Sequence, residues 1–183
     1  MNIKELSITG CFLITPDIQK DQRGSFVKTY HAGSLSEFGL NINLQEEFYS
    51  ISKKNVLRGL HFQDHPSAHK KIVYCPEGRV LDFFVDIRLG SPTYGQHLKV
   101  ELSGTNGVIL FLPIGIAHGF LSLENDSLMI YKTDCTYDPD NDRGINFESC
   151  DIPLPIQKSS LIVSPRDLGL IALSDFESKF KYE

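Results

Sequence analysis

An arginine, a histidine and a lysine interrupt an otherwise apolar, strand-like stretch: Val56-Leu57-Arg58-Gly59-Leu60-His61-Phe62-Gln63, with Lys71 following shortly after. Packing alone gives no reason for them to be there. An arginine can grip a phosphate or carboxylate in a two-pronged hydrogen bond, an imidazole can move a proton near neutral pH, and a lysine can stabilise an oxyanion. Together they suit an anionic substrate that gives up a proton. A lone histidine in such a run usually satisfies an internal hydrogen bond. The company of Arg58 and Lys71 favours a reactive pocket instead.

The elements that must position these groups read as all-β. Short runs rich in Val, Ile, Phe and Tyr recur between turn residues, and long amphipathic helical patterns are absent until the C-terminal end. Lys71 to Cys75 leads into Pro76-Glu77-Gly78, and a long run from Arg79 to Arg88 ends at Gly90-Ser91-Pro92, which predicts a hairpin. Further strands are expected over His97 to Leu102, Val108 to Leu112 after the Asn106-Gly107 turn, Phe120 to Leu123 and Leu128 to Tyr131, about ten in all. A short helix is expected between Ala32 and Phe38 with Ser34 as its cap, and Leu168 to Phe180 reads as a terminal helix or an irregular cover.

Composition bounds the function. The chain of 183 residues is 41% hydrophobic, enough to bury a full core, and reads as one domain. A net charge of -5, with lysine doublets at Lys53-Lys54 and Lys70-Lys71 in place of a basic stripe, argues against a nucleic-acid partner. No apolar run is long enough to span a bilayer, so no membrane partner is expected. Cys11, Cys75, Cys135 and Cys150 are widely spaced and no secretory leader is evident, which predicts reduced thiols and a cytoplasmic location. The Asn125-Asp126-Ser127 glycosylation pattern is then only formal. No Gly-rich dinucleotide or NTP loop and no Gly-x-Ser-x-Gly elbow occurs, so neither redox, phosphoryl-transfer nor covalent catalysis is signalled.

Pro113-Ile114-Gly115-Ile116-Ala117-His118-Gly119-Phe120 resembles the second signature of the cupin β-barrels, in which a histidine points into the barrel. A metal cupin would add two more histidines and a glutamate, where this chain offers His61-Phe62-Gln63, so no metal is expected. His65 and His69, flanking Pro66, read as solvent-exposed loop histidines.

Beyond that signature, a series in order resembles the dTDP-4-dehydrorhamnose 3,5-epimerase family from about residue 10 to 168, with 169–183 as an extension. It comprises Asp21-Gln22-Arg23-Gly24-Ser25-Phe26, Val56 to Gln63, Lys71, Asp86-Ile87-Arg88, Ser91 to Gly95, Pro113 to Phe120, Tyr131-Lys132 and Ser164-Pro165-Arg166-Asp167. The resemblance implies a cupin-type jelly roll of barrel or sandwich form. It further implies a homodimer without metal or redox cofactor, acting on a nucleotide-linked 4-keto-6-deoxy sugar. A ketone at C4 acidifies the hydrogens at C3 and C5, so a base, an acid on the other face and a donor for the enolate oxygen suffice. By resemblance His61 is the base, Asp167 its partner, Lys71 the group at the enolate and Tyr131 the acid. Arg23, Arg58 and Arg166 would bind the diphosphate or its surroundings, with His118 and Asp142 at the substrate.

Phe26 belongs to the same series, and three positions depart from the family near it. Lys28 stands where the family has a glutamate and Glu46 where it has a glutamine, both on the thymine base, and Phe48 replaces an asparagine. A donor for an acceptor and an acceptor for an amide would match cytosine, so a CDP-linked ketosugar is expected as an alternative to a dTDP-linked one. Epimerisation at C3, C5 or both is open at this point. A sugar-nucleotide ketoisomerase, a sugar-binding module without catalysis and, last, a metal-dependent oxygenase are the competing readings.

Overall fold

The computed structural model describes residues 1–182. Among them, fourteen strands follow in order: β1 (Asn2–Glu5), β2 (Phe12–Thr15), β3 (Ile18–Asp21), β4 (Gly24–Val27), β5 (Glu46–Ser52), β6 (Val56–Gln63), β7 (Lys71–Glu77), β8 (Arg79–Asp86), β9 (His97–Ser103), β10 (Ile109–Leu112), β11 (Ile116–Ser122), β12 (Ser127–Thr133), β13 (Asp142–Gly144) and β14 (Ile162–Val163). Two helices are short, α1 (Ala32–Ser36) and α2 (Pro165–Leu168). The number of strands exceeds the ten expected because several are only two to four residues long.

The strands form two facing sheets, β1-β2-β10-β7-β12-β5 and β13-β6-β11-β8-β9, with β14 beside β6. From β5 to β8 the chain changes sheet at every step, and it does so again between β9 and β13, which is the jelly-roll path. Each sheet remains a separate hydrogen-bonded array, so the form is a sandwich and not a closed barrel.

This path corrects the expected hairpin at 71–88. β7 pairs with β10 and β12, and β8 pairs with β11 and β9, so the two do not pair with each other. Gly78 makes the crossing with φ +76, and a Cβ there would lie 2.6 Å from Ser127 Oγ.

Alternation along the strands explains the layers. In β8, Val80 and Phe84 face the core between the sheets, with Phe120, Met129 and Leu110, while Phe83 and Val85 face outward. The outward face would be wet without a cover. The C-terminal chain supplies it: Phe180 is buried there and its ring lies edge-on to Phe62 at 5.7 Å. The segment Leu168 to Phe180 is thus the irregular cover, with one 3-10 turn at Leu173–Asp175 and no long helix. On the outside of the first sheet, Leu35 of α1 and Leu40 pack on Ile14, Ile72 and Phe111. The cap of α1 is His31 and not Ser34: with extended φ, His31 Nδ1 accepts from Ser34 N–H at 3.1 Å. No helix among the described residues is long and apolar enough to cross a membrane.

Candidate active site

A bulge sets the site. On β6, Leu57 and Leu60 both pack on the outer side, which simple alternation forbids. The register against β11 slips by one residue, from Phe120↔Arg58 to His118↔His61. Gly59 absorbs the slip with φ +113. Arg58 and His61 consequently both line one cavity of about 290 Å³ between the sheets, with Gln63 beyond. A Cβ at Gly59 would meet Gly119 Cα and the His118 carbonyl oxygen, each at 2.6 Å. Gly59→Ala should therefore cost about 3 kcal/mol or more and abolish the site, and a thermal melt with an activity assay checks both.

α2 brings a carboxylate to His61. Ser164 caps this helix, accepting from Asp167 N–H at 3.1 Å, and Pro165 occupies the first turn, where its missing N–H is harmless. Asp167, nearly fully buried, turns its carboxylate onto β6, accepting from Gly59 N–H at 3.1 Å and lying 2.8 Å from His61 Nε2. Burial works against its charge, but the bonds from His61, Gly59 and Ser164 prevail and hold its carboxyl below the ordinary range. An ionised Asp167 makes His61 Nε2 the donor and leaves the lone pair on Nδ1.

The opposite wall comes from the first sheet. Tyr131 and Phe48 are cross-strand partners in β12 and β5, and their rings stack at 4.8 Å and 11°. The Tyr131 hydroxyl lies 3.4 Å from Ser50 Oγ, and burial pushes its ionisation up, so the phenol keeps its proton. Lys71 opens β7 with its amine 3.1 Å from the His61 carbonyl oxygen, and burial lowers its pKa to about 8 against the pull of Asp142 and Asp82. His118 faces the same space and is tied through Nε2 to Asp82 Oδ2 at 2.7 Å, both groups buried. At the mouth, Asp142 Oδ2 accepts from Arg166 at 2.7 Å and from the Tyr137 hydroxyl at 3.2 Å, while Glu46 accepts from Tyr137 N–H. Arg58 donates to Ser52 Oγ at 3.1 Å.

Of the residues expected from sequence, His61, Asp167, Lys71, Tyr131, Arg58, His118, Asp142, Arg166, Glu46 and Phe48 converge on this cavity or its dyad. Arg23, Phe26 and Lys28 do not reach it. They belong to or just follow the β3–β4 hairpin, a separate two-stranded sheet on which Arg23 is paired with Asp21 and Phe26 is 61% exposed. His69 corrects a further expectation: it lines the cavity, whereas His65 is exposed against Phe180. Asp82 and Tyr137 escaped the sequence reading. Asp82 had one signal, a carboxylate inside the apolar run Val80-Leu81-Asp82-Phe83 with no face turned to water. Among the described residues no three His, Cys, Asp or Glu side chains group as a metal site.

A jelly-roll sandwich holding a histidine–carboxylate pair on one wall and a protonated phenol on the other is suited to proton transfer, as an isomerase of the cupin-like class requires. The sequence matches the model of dTDP-4-dehydrorhamnose 3,5-epimerase over residues 5–175, and the chain belongs to that family. It is 38% identical to the dTDP-4-dehydrorhamnose 3,5-epimerase of Escherichia coli, covering 96% of each chain. The enzyme of the same name from Sinorhizobium fredii is 34% identical, covering all of this chain and 94% of its own. Among solved structures, the dTDP-6-deoxy-D-glucose-3,5-epimerase of Legionella pneumophila in complex with dTDP-4-keto-L-rhamnose superposes with a TM-score of 0.94 at 34% identity, covering 100% and 98%.

Proposed function

We propose that the protein inverts C3 and C5 of a dTDP-linked 4-keto-6-deoxy hexose through an enolate. The observation that carries this reading is the His61–Asp167 pair on one wall of the cavity with the Tyr131 phenol on the other, in a member of this family. His61 Nδ1 takes the proton alpha to the C4 ketone, and Asp167 stabilises the imidazolium that results. Lys71, with His118 nearby, offsets the charge growing on the C4 oxygen. Tyr131 delivers a proton to the other face, inverting the centre. Arg58 and Arg166 serve the diphosphate. The test is NMR in D2O with dTDP-4-keto-6-deoxyglucose: deuterium should enter C3 and C5 with wild type, and its absence from both would refute the reading.

The charged form of Lys71 exists below its pKa of about 8, so kcat/KM should fall as pH rises through that value. Lys71→Met should be about 10²-fold slower and lack that alkaline limb. Stability runs the other way. The unfolded chain keeps this proton up to about 10.5 while the folded one releases it near 8, so raising pH across that window favours folding at this group.

Arg23, Phe26 and Lys28 fit this reading if the hairpin of one protomer reaches the cavity of another, and we assign a homodimer on that basis. The exposed Tyr49 and Ile51 on edge strand β5 give such a contact an apolar surface. Analytical ultracentrifugation showing a monomer would remove this part. A second reading concerns the base: Glu46 at the mouth is an acceptor and Lys28 a donor, a pairing that suits cytosine. Calorimetry with dTDP and CDP decides it, and preference for dTDP ends the CDP reading. Four free thiols fit a cytoplasmic enzyme supplying deoxysugars for surface polysaccharide.

A further inference from the structure

The cavity wall holds one titratable side chain that the mechanism leaves unused. His69 lines the cavity two positions before Lys71, on the loop that enters β7. Its Nδ1 lies 3.2 Å from the Ser67 carbonyl oxygen and 3.2 Å from Gln63 Nε2. The Gln63 amide is oriented independently, because its Oε1 accepts from Asp138 N–H at 2.7 Å. Its two amide protons then have carbonyl acceptors in Ser67, at 2.9 Å, and Thr136, at 3.3 Å. Those two bonds consume the amide donors. The arrangement that also leaves no donor idle has His69 Nδ1–H donating to the second lone pair of the Ser67 carbonyl. Nε2 then carries a lone pair, and among the described residues it makes no hydrogen bond.

Burial first, and the Lys71 charge second, lower the His69 imidazole to about 4, so the ring is neutral under ordinary conditions. Arg58, Lys71, Tyr131 and Arg166 give the wall donors suited to a diphosphate and a ketone. The carboxylates lie at the mouth, where Asp142 Oδ2 accepts from Arg166 and the Tyr137 hydroxyl and Glu46 Oε2 from Tyr137 N–H. Hydroxyl protons of a bound sugar nucleotide need acceptors in such a cavity. We infer that His69 is a specificity-determining residue whose Nε2 accepts a hydrogen bond from a hydroxyl of the bound nucleotide sugar. This rests on the sugar-nucleotide reading above. The hydroxyl can come from the hexose or from the nucleotide's pentose, and one that is deoxygenated there leaves the nitrogen unmatched.

The experiment is 15N NMR of the histidine rings of wild type, assigned by loss of the His69 signals in His69→Phe, with dTDP-glucose and with dTDP added separately. dTDP-glucose has hexose hydroxyls but no ketone to enolise. The unprotonated Nε2 signal should be present in the free protein and move when ligand saturates. Movement with dTDP-glucose alone assigns the hexose, and movement with both assigns the pentose. In turnover of dTDP-4-keto-6-deoxyglucose, His69→Phe should raise KM about tenfold with kcat changed less than about twofold, and His69→Gln, whose amide oxygen can reach the place of Nε2, should restore most of it. A proton on Nε2 in the free protein, no movement with either ligand, or an unchanged KM in His69→Phe overturns the inference. These results separate from failure of the proposed reaction, which is read from deuterium at C3 and C5 in wild type.

Discussion

His61→Asn should lower kcat by roughly 10³-fold while changing KM little, and should stop deuterium entry at both C3 and C5. Among the described residues the ring is the one cavity imidazole bound to the Asp167 carboxylate at the helix start: His118 is tied to Asp82 deeper in the core, and His69 is bound to a backbone carbonyl. With Nε2 committed to Asp167, Nδ1 is the basic atom, and an asparagine cannot accept a proton there. Asp167→Asn should lose roughly 10²-fold or more by the same logic, since an amide can present its oxygen or its NH2 to the ring but cannot balance an imidazolium. Both variants should melt within a few degrees of wild type, as the sandwich core lies elsewhere. Equal exchange by wild type and His61→Asn would remove His61 from the chemistry.

Tyr131→Phe should separate two events that wild type couples. Proton removal by His61 does not involve the phenol, so deuterium should still enter from the His61 face with retention of configuration. Net inversion should drop by about 10³-fold, because the opposite face has lost its donor. The variant keeps the stack on Phe48 and loses only the long contact to Ser50, so its stability should change by less than about 1 kcal/mol. Circular dichroism of the product mixture against the NMR exchange rate makes the comparison. Inversion at the wild-type rate would move the acid role to another group.

How much of this was legible follows from what each residue's chemistry reveals locally. Arg58, His61 and Lys71 stood out because charge in a strand-like run has few structural explanations. The partnership of His61 with Asp167 was legible only through the family resemblance, since nothing local in Ser164-Pro165-Arg166-Asp167 says where a carboxylate will dock. The β7–β8 hairpin was misread because both strands are buried on both faces. A Pro-Glu-Gly turn between apolar runs signals a change of direction but not a change of sheet. The bulge at Gly59 was invisible, as glycine there has several meanings. His69 departs from the wet loop that a nearby proline suggests because it packs on the Gln63 amide, which Thr136 and Asp138 hold in place. In the homodimer proposed above, the hairpin carrying Arg23, Phe26 and Lys28 marks the remaining limit, since one chain's sequence and fold do not say which cavity that hairpin serves.

The base and its carboxylate are separated by 106 positions in the chain. Synthesis is vectorial, and the residues through β12 leave the ribosome with the histidine, lysine and tyrosine but without the aspartate. The same late stretch carries Phe176 and Phe180, which cover the outer face of β6 and β8, so the carboxylate of the pair and the cover of that sheet come from one segment. By the roles proposed above, a chain cut short before Ser164 loses the partner of His61 and the cover of its strand in one step, so its activity should fall at least as far as that of Asp167→Asn.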